Sequence, residues 1–305
     1  MRFDAGWWGE RARWGAAGRF DRRAAAGFRR WVMPALRWVF RPRVSGVEHL
    51  PRAGGFLVVA NHSGGAGFAE LACLAAMKLD HFDDIPVAAM AHPVSFHLWP
   101  LTVVMRWVGA IPSTRGAAGA ALRDGMGVLV FPGGDHEAAR PLWQAGRVDF
   151  GGRQGSCGWR GEAGVPVVPL GIAGSHLSVP IVWRSRLLPW LLVLPRVFGI
   201  KRYPLTLTGV LGVVALVAWL PGGWGWLAAW LWMVSVLPLL PVVPVRIGFR
   251  FGAPMGADEL FGDGMDAAYA RVVGRVQALV DGREQGRGRA GAISCHRGRR
   301  EYRGN

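Results

Sequence analysis

Leu57-Val58-Val59-Ala60-Asn61-His62-Ser63-Gly64-Gly65 is an apolar run that stops at an Asn-His pair and then loosens into Ser-Gly-Gly. Residues 56–60 read as a buried strand, and the small residues after them as a turn into a helix over 66–79. His62 therefore stands at the C-terminal tip of a core strand, where open α/β sheets build their sites. An imidazole titrates near neutral pH, so a histidine held there can take a proton from a substrate hydroxyl. A histidine that merely caps the next helix would look the same in isolation.

Working outward, short apolar runs at 85–90, 110–112, 127–131 and 165–172 read as further strands, the last despite its two prolines. Residues 96–108 and 116–124 read as helices between them. Alternating strand and helix predict an α/β fold: a largely parallel central sheet flanked by helices, with right-handed crossovers. Residues 245–251 read as a strand rejoining the core and 266–280 as a helix.

Three later segments bear on His62. They are Val108-Gly109-Ala110-Ile111-Pro112-Ser113-Thr114-Arg115, Gly127-Val128-Leu129-Val130-Phe131-Pro132-Gly133-Gly134-Asp135-His136-Glu137 and Gly164-Val165-Pro166-Val167-Val168-Pro169-Leu170-Gly171. With Asn61-His62, in this order and at these separations, they resemble the four blocks of the phospholipid/glycerol acyltransferase family. The resemblance covers roughly residues 45–180. It implies transfer of a fatty acyl group from a thioester, on coenzyme A or acyl carrier protein, to an alcohol.

The chain departs from that family twice. The pattern His-x4-Asp has Gly67 in place of its acid, and the nearest downstream acid is Glu70. The block Phe-Pro-Glu-Gly reads Phe131-Pro132-Gly133-Gly134, with Glu137 following. His-Ser-Gly-Gly and Gly-Gly-x-x-Glu look more like the branch that acts on mono- and diacylglycerols or other neutral alcohols.

Composition sets the surroundings. In 305 residues the net charge is +16, hydrophobic residues make up 51%, and there are 16 Trp. A strongly basic chain suits nucleic acid or an anionic membrane. Tryptophan favours the headgroup boundary, and no nucleic-acid motif is present, so the balance falls to membrane lipids. The charge sits at the ends: residues 1–46 hold 11 Arg against three acids, and residues 282–305 hold 7 against two. Residues 24–40 read as an interfacial helix in a Trp-rich segment that includes Trp7, Trp8, Trp14, Trp31 and Trp38. Cys73, Cys157 and Cys295 show no metal or redox spacing, no signal peptide is visible, and a reducing cytosolic side is expected.

Residues 203–245 carry no charge at all, a run of 43. Pro221-Gly222-Gly223 divides it into two arms, 205–220 and 226–240. Each arm is somewhat short of the roughly 20 residues that cross a bilayer. The reading is a membrane-embedded helical hairpin, re-entrant or spanning, with basic flanks at both ends that place both on the cytoplasmic side. The chain thus divides into an interfacial segment (1–46), a catalytic core (47–200), a hydrophobic hairpin (201–246), a strand and helix completing the core (247–281) and a basic, disordered tail (282–305).

Thioester alcoholysis needs a base, donors for a tetrahedral oxyanion and a groove for the acyl chain. His62 is the candidate base. Glu70 is the candidate carboxylate on its far nitrogen, if the glycine-rich loop turns back under the ring, with Glu137 as its rival. Amides at Gly64-Gly65 or Gly133-Gly134 could serve an oxyanion or a phosphate. Arg115 is the candidate anion clamp, Arg140 and Arg153 weaker ones, and Glu137 could otherwise bind a hydroxyl of the acceptor or form a structural ion pair. His92, His97, His136 and His176 lack metal spacing; neither metal nor cofactor is expected beyond the acyl-CoA or acyl carrier protein co-substrate. The expectation is an acyltransferase at the cytoplasmic face of the inner membrane, acting on a lysophospholipid or related glycerolipid. Its alternatives are a neutral acceptor and a non-catalytic lipid-binding protein of the same fold.

Overall fold

The computed structural model describes residues 18–19, 21–82, 85–97, 99, 101–152, 164–197 and 200–282. Arg153, Cys157, Cys295, Trp7, Trp8, Trp14 and the basic tail lie outside the described residues. The described chain starts with a helical rod: α1 (Arg22–Gly27), a π turn (Phe28–Val32) and α2 (Met33–Phe40). There follow β1 (Arg43–Ser45), β2 (Phe56–Ala60), α3 (Phe68–His81), β3 (Val87–Ala91), α4 (Leu101–Trp107), β4 (Ile111–Pro112), α5 (Arg115–Arg123), β5 (Gly127–Val130), α6 (Asp135–Ala138) and β6 (Val167–Ala173). The second half adds β7 (Ile181–Ser185), α7 (Leu188–Leu192), α8 (Leu194–Val197), β8 (Tyr203–Thr206), α9 (Leu207–Trp219), α10 (Trp224–Val234), β9 (Gly248–Phe251), α11 (Ala257–Phe261) and α12 (Met265–Asp281).

Seven strands form one sheet in the order β1-β9-β6-β2-β5-β3-β4. Its pairings are parallel apart from β6 with β9, so the α/β class with a largely parallel sheet holds. Side chains alternate across β2. Val58 and Ala60 join Met33, Phe40, Cys73 and Met77 on one face; Leu57 and Val59 join Ala117, Ala121, Val272 and Val276 on the other. Both faces are covered, which explains why β2 and β5 read as unbroken apolar runs. The prolines of the fourth block are accommodated by using their carbonyls. Pro166 accepts from Leu57 N at 2.9 Å and Pro169 from Gly252 N at 2.9 Å.

Three details differ from the sequence reading. The helix expected over 96–108 begins only at Leu101, after a 3-10 turn at Pro93–Phe96; a proline at position 100 is tolerated at a helix start but not inside. The last strand, β9, enters antiparallel to β6. A two-stranded antiparallel ribbon, β7 with β8, stands outside the main sheet and was not foreseen.

Asp21 starts the N-terminal rod by accepting from Arg23 N and Ala24 N. The rod buries Met33, Leu36 and Phe40 against the core and leaves Trp31 and Trp38 largely exposed. In the uncharged run, α9 has 13 residues and α10 has 11, joined through Pro221-Gly222-Gly223. Among the described residues no helix is long and apolar enough to cross a membrane.

Candidate active site

The C-terminal ends of β2, β5 and β6, three neighbours in the sheet, converge on His62. Asn61 fixes the exit of β2. Its amide donates to Ile172 O at 2.9 Å and its carbonyl accepts from Ile172 N at 2.8 Å, which extends the ladder to β6 through a side chain. The His62 ring stacks on Phe131, at the end of β5, with centroids 4.1 Å apart and planes 14° from parallel. His62 remains 9% exposed.

Beyond His62 the chain doubles back. At Gly65 φ is +63°, and a Cβ there would lie 2.4 Å from Ser175 O, so only glycine fits. The return places Glu70, in the first turn of α3, beneath the imidazole. Glu70 Oε1 meets His62 Nδ1, and Oε2 accepts from Ser63 N at 3.1 Å and Ser175 Oγ at 3.1 Å. Glu70 is fully buried. A carboxylate on Nδ1 fixes the tautomer that leaves Nε2 as the basic nitrogen. The position occupied by glycine instead of the family's acid is adjacent: a Cβ at Gly67 would lie 3.5 Å from both Glu70 Oε1 and His62 Nδ1. Glu70, three residues further along the chain, supplies the carboxylate that faces the ring.

In the third block, too, a glycine lies against a carboxylate from further along the chain. A Cβ on Gly133 would fall 2.3–2.5 Å from Cγ, Cδ and Oε2 of Glu137. Glycine at 133 thus makes room for a carboxylate that comes from α6. Glu137 Oε2 accepts from His62 N at 3.0 Å, while Oε1 accepts from Arg140 Nη2 at 3.0 Å and Asp149 N at 3.0 Å. Burial pushes the Glu137 carboxyl up to about 7, against the pull of these donors, and the same burial lowers Arg140. Glu137 and Arg140 thus form a buried ion pair, the alternative that the sequence left open for Glu137 beside binding a hydroxyl of the acceptor, and Glu137 also holds the main chain of His62 and Asp149. Gly134 N is likewise committed to Phe131 O, at 3.1 Å, and does not face an oxyanion.

Arg115 lies exposed in the first turn of α5, which Thr114 caps by accepting from Ala117 N. No ion pair among the described residues holds it. Arg184, on the ribbon, was not singled out from sequence. It donates to His136 Nδ1 at 3.0 Å, and His136 Nε2 in turn meets Asp149 Oδ2 at 3.0 Å. Arg202 reaches Asp135 at 3.4 Å. Burial, then the charges of Arg202 and Arg140, lower Arg184, with Asp149 and Asp135 acting in the other direction.

Ser175 is the other residue that sequence reasoning missed, since a serine after a strand carries no motif of its own. Its N–H bonds Ser63 Oγ at 3.2 Å, and its hydroxyl lies 3.1 Å from Gly64 O as well as from Glu70. Cys73, one turn beyond Glu70, has its thiol pushed up to about 12 by burial and by the Glu70 charge, so it is no nucleophile.

Residues 41–173 match the family model described as Acyltransferase. Two similar proteins are mycobacterial. The uncharacterized protein Rv0502 of Mycobacterium tuberculosis is 32% identical over 193 residues, which cover 61% of this chain and 52% of that one. The uncharacterized protein ML2427 of Mycobacterium leprae is 30% identical over 193 residues, 61% of this chain and 51% of that one. The chain thus spans about half the length of the curated relatives it matches. The crystal structure of the 1-acyl-sn-glycerophosphate (LPA) acyltransferase PlsC from Thermotoga maritima is similar at a TM-score of 0.48 and 17% identity, covering 85% of this chain and 79% of that one.

Proposed function

We propose that the protein transfers a fatty acyl group from acyl-CoA or acyl carrier protein to a hydroxyl of a lysophospholipid or related glycerolipid, with His62 as general base and Glu70 as its supporting carboxylate. The observation that carries this reading is Glu70 on His62 Nδ1 at the strand ends, below a ring that keeps some exposure. His62 Nε2 takes the acceptor's proton as its oxygen attacks the thioester carbonyl. Glu70 stabilises the imidazolium formed, and the imidazolium returns the proton to the departing thiolate. Ser63 N and Ser175 Oγ keep Glu70 oriented. Exposed Arg115, with Arg184 and Arg202 beside α6, suits phosphate on donor or acceptor. The uncharged hairpin and its basic flanks suit the cytoplasmic face of the inner membrane.

Purified full-length protein in detergent, given long-chain thioesters and a panel of lysophospholipids, mono- and diacylglycerols and simple alcohols, tests the reading. Free thiol should appear only with an acceptor. His62→Ala should lower kcat about 10²- to 10⁴-fold, the usual loss with a general base. Turnover with neutral acceptors alone would select the neutral-acceptor alternative. Failure with every pair, or a His62→Ala variant within threefold of wild type, would defeat the mechanism.

A further inference from the structure

We infer that the α9–α10 hairpin is a single-leaflet anchor, inserted into the acyl-chain region of one leaflet of an anionic bilayer and ending within it. Length sets the depth. At about 1.5 Å per residue, 13 and 11 residues reach about 20 and 17 Å, short of the roughly 30 Å hydrocarbon core and within the roughly 20–22 Å of one leaflet with its headgroups. The outward side chains of both arms are apolar, including Leu211, Val214, Leu227 and Leu231, and Trp219 near the tip is 87% exposed.

The two arms seal against each other through small residues. A Cβ on Gly212 would strike the Trp232 ring at 2.3 Å, and one on Gly225 would lie 3.0 Å from Leu216 O. Such close crossings characterise helix pairs in lipid, where packing and not water expulsion holds helices together. Each arm is hydrophobic around its whole outer surface. A second copy of the chain would cover one side of such a hairpin; lipid covers all of it.

Polar bonding is concentrated at the root. Thr206 Oγ1 and Thr208 Oγ1 donate to Pro238 O at 2.8 and 2.9 Å, and Leu207 N donates to Pro180 O at 2.8 Å. Val242 N donates to Ser178 O at 2.9 Å, and Ser178 Oγ donates to Ser175 O at 2.6 Å. Ser175 is the residue that holds Glu70. One turn, Ser175–Leu177, therefore joins the hairpin's root to the carboxylate under His62. Beside the root, Arg186, Arg196 and Lys201 are exposed, with the Arg196 guanidinium 4.3 Å over the Trp190 ring among exposed Leu191 and Val197. A cation on an indole beside aliphatic side chains fits anionic headgroups above acyl chains. Insertion does not rest on the acyl-transfer reading; only its purpose, holding His62 at headgroup level, does.

The test uses full-length protein carrying Trp219→Cys with Cys157→Ser and Cys295→Ser, labelled with a polarity-sensitive fluorophore. It is bound to vesicles of phosphatidylcholine doped with phosphatidylglycerol. The label should shift to the blue, be quenched by lipids brominated near their chain ends, and be shielded from iodide on both sides. Leu211→Glu/Leu227→Glu should abolish salt-resistant vesicle binding yet keep turnover of a short-chain, water-soluble thioester and acceptor. Quenching by iodide trapped in the lumen would show a spanning hairpin and overturn the inference. So would quenching by external iodide, or a stable dimer that shields the label without vesicles. Deep quenching together with no thioester turnover would leave the anchor standing and defeat only the acyl-transfer reading.

Discussion

Around His62, the side chains of Asn61, Ser63, Glu70, Glu137 and Ser175 are all buried, and each has a bonded partner. Along α9 and α10 the arrangement is inverted: Leu211, Val214, Trp219, Trp226 and Leu231 are exposed, and the polar bonds lie at the root. A buried polar cluster is costly unless every group is satisfied, so its completeness reflects geometry that must be held for a reaction. An exposed apolar hairpin is costly in water, and its composition fits the lipid solvent proposed for it. The two regions should therefore fail separately. Damage to the cluster should cost turnover with vesicle binding intact, and damage to the outer face of the hairpin should do the reverse.

The largest effect after loss of His62 itself is expected at Glu70. Glu70→Gln keeps the shape but removes the charge that stabilises the imidazolium. Its amide must also point an N–H₂ at either His62 Nδ1–H or Ser63 N–H, because each oxygen of Glu70 meets one of them. We expect kcat to fall about 100-fold, within the range for crippled acid–base catalysis, with sedimentation on vesicles unchanged. Gly67 offers a sharper test. Glu70→Ala combined with Gly67→Asp should recover at least part of kcat, because Cβ at 67 already points between the ring and the lost carboxylate. Aspartate also tolerates the left-handed backbone there, φ +79°. No recovery, in a folded and vesicle-bound double variant, would show that the ring needs the bonds to Ser63 and Ser175 as much as the charge.

The comparison also separates what could be read in the sequence from what could not. β2, β5 and β6 were legible because strands buried on both faces are continuous apolar runs, and the glycines after His62 announced a tight return. The carboxylate under His62 was narrowed to Glu70 or Glu137, but spacing alone does not give side-chain direction. Only the Cβ vector at Gly133 shows that Glu137 fills that glycine's space and bonds main chain. The ribbon stayed hidden because Trp183 and Arg184 interrupt one strand's pattern. Its partner, with Pro204, merges into the uncharged run. Ser175 was invisible because its importance comes from what three strand ends bring together. The arms of the hairpin could be read as apolar, but their helical extent, shorter than the apolar run itself, could not.

An intermediate effect is expected at Glu137. It touches His62 only through the main chain, so it is a positioning residue. Both its oxygens accept from N–H donors, so either orientation of the amide in Glu137→Gln turns an N–H₂ toward a donor. An unsatisfied buried donor costs about 1–3 kcal/mol, and kcat should fall about tenfold with little change in KM. The pH profile distinguishes this role from simple damage. Glu137 rises from 4.5 to about 7 on folding, so it takes up a proton as pH falls through about 7 and loses an acceptor site. Protonated Glu137 resembles the Gln variant, so as pH falls through about 7 the wild type should lose its roughly tenfold advantage and the ratio of wild type to Glu137→Gln should fall toward one. A ratio that does not change with pH would remove Glu137 from the profile.

The smallest effect is expected at Arg115, which neither region holds. It is exposed at the start of α5, whereas Arg140 is buried against Glu137 and Arg184 is tied to His136. A guanidinium without a partner among the described residues, near the end of β4, is placed to meet an anionic ligand, and solvent screens what it contributes. A hydrogen bond exchanged with water nets about 0.5–1.5 kcal/mol, so Arg115→Ala should raise one KM about two- to tenfold and leave kcat nearly unchanged. If the KM of the thioester rises, Arg115 reads the donor's phosphates or the carrier protein. If only that of a lysophospholipid rises, it reads the acceptor's phosphate, and a neutral acceptor should then be indifferent to the change. Arg115→Lys should restore most of the loss if a point charge suffices and little if the planar fork is needed. A fall in kcat with both KM values fixed would place Arg115 with the reacting atoms. No change in any constant would leave it a surface charge, and would shift anion recognition to Arg184 and Arg202 on the ribbon, at the root of the hairpin.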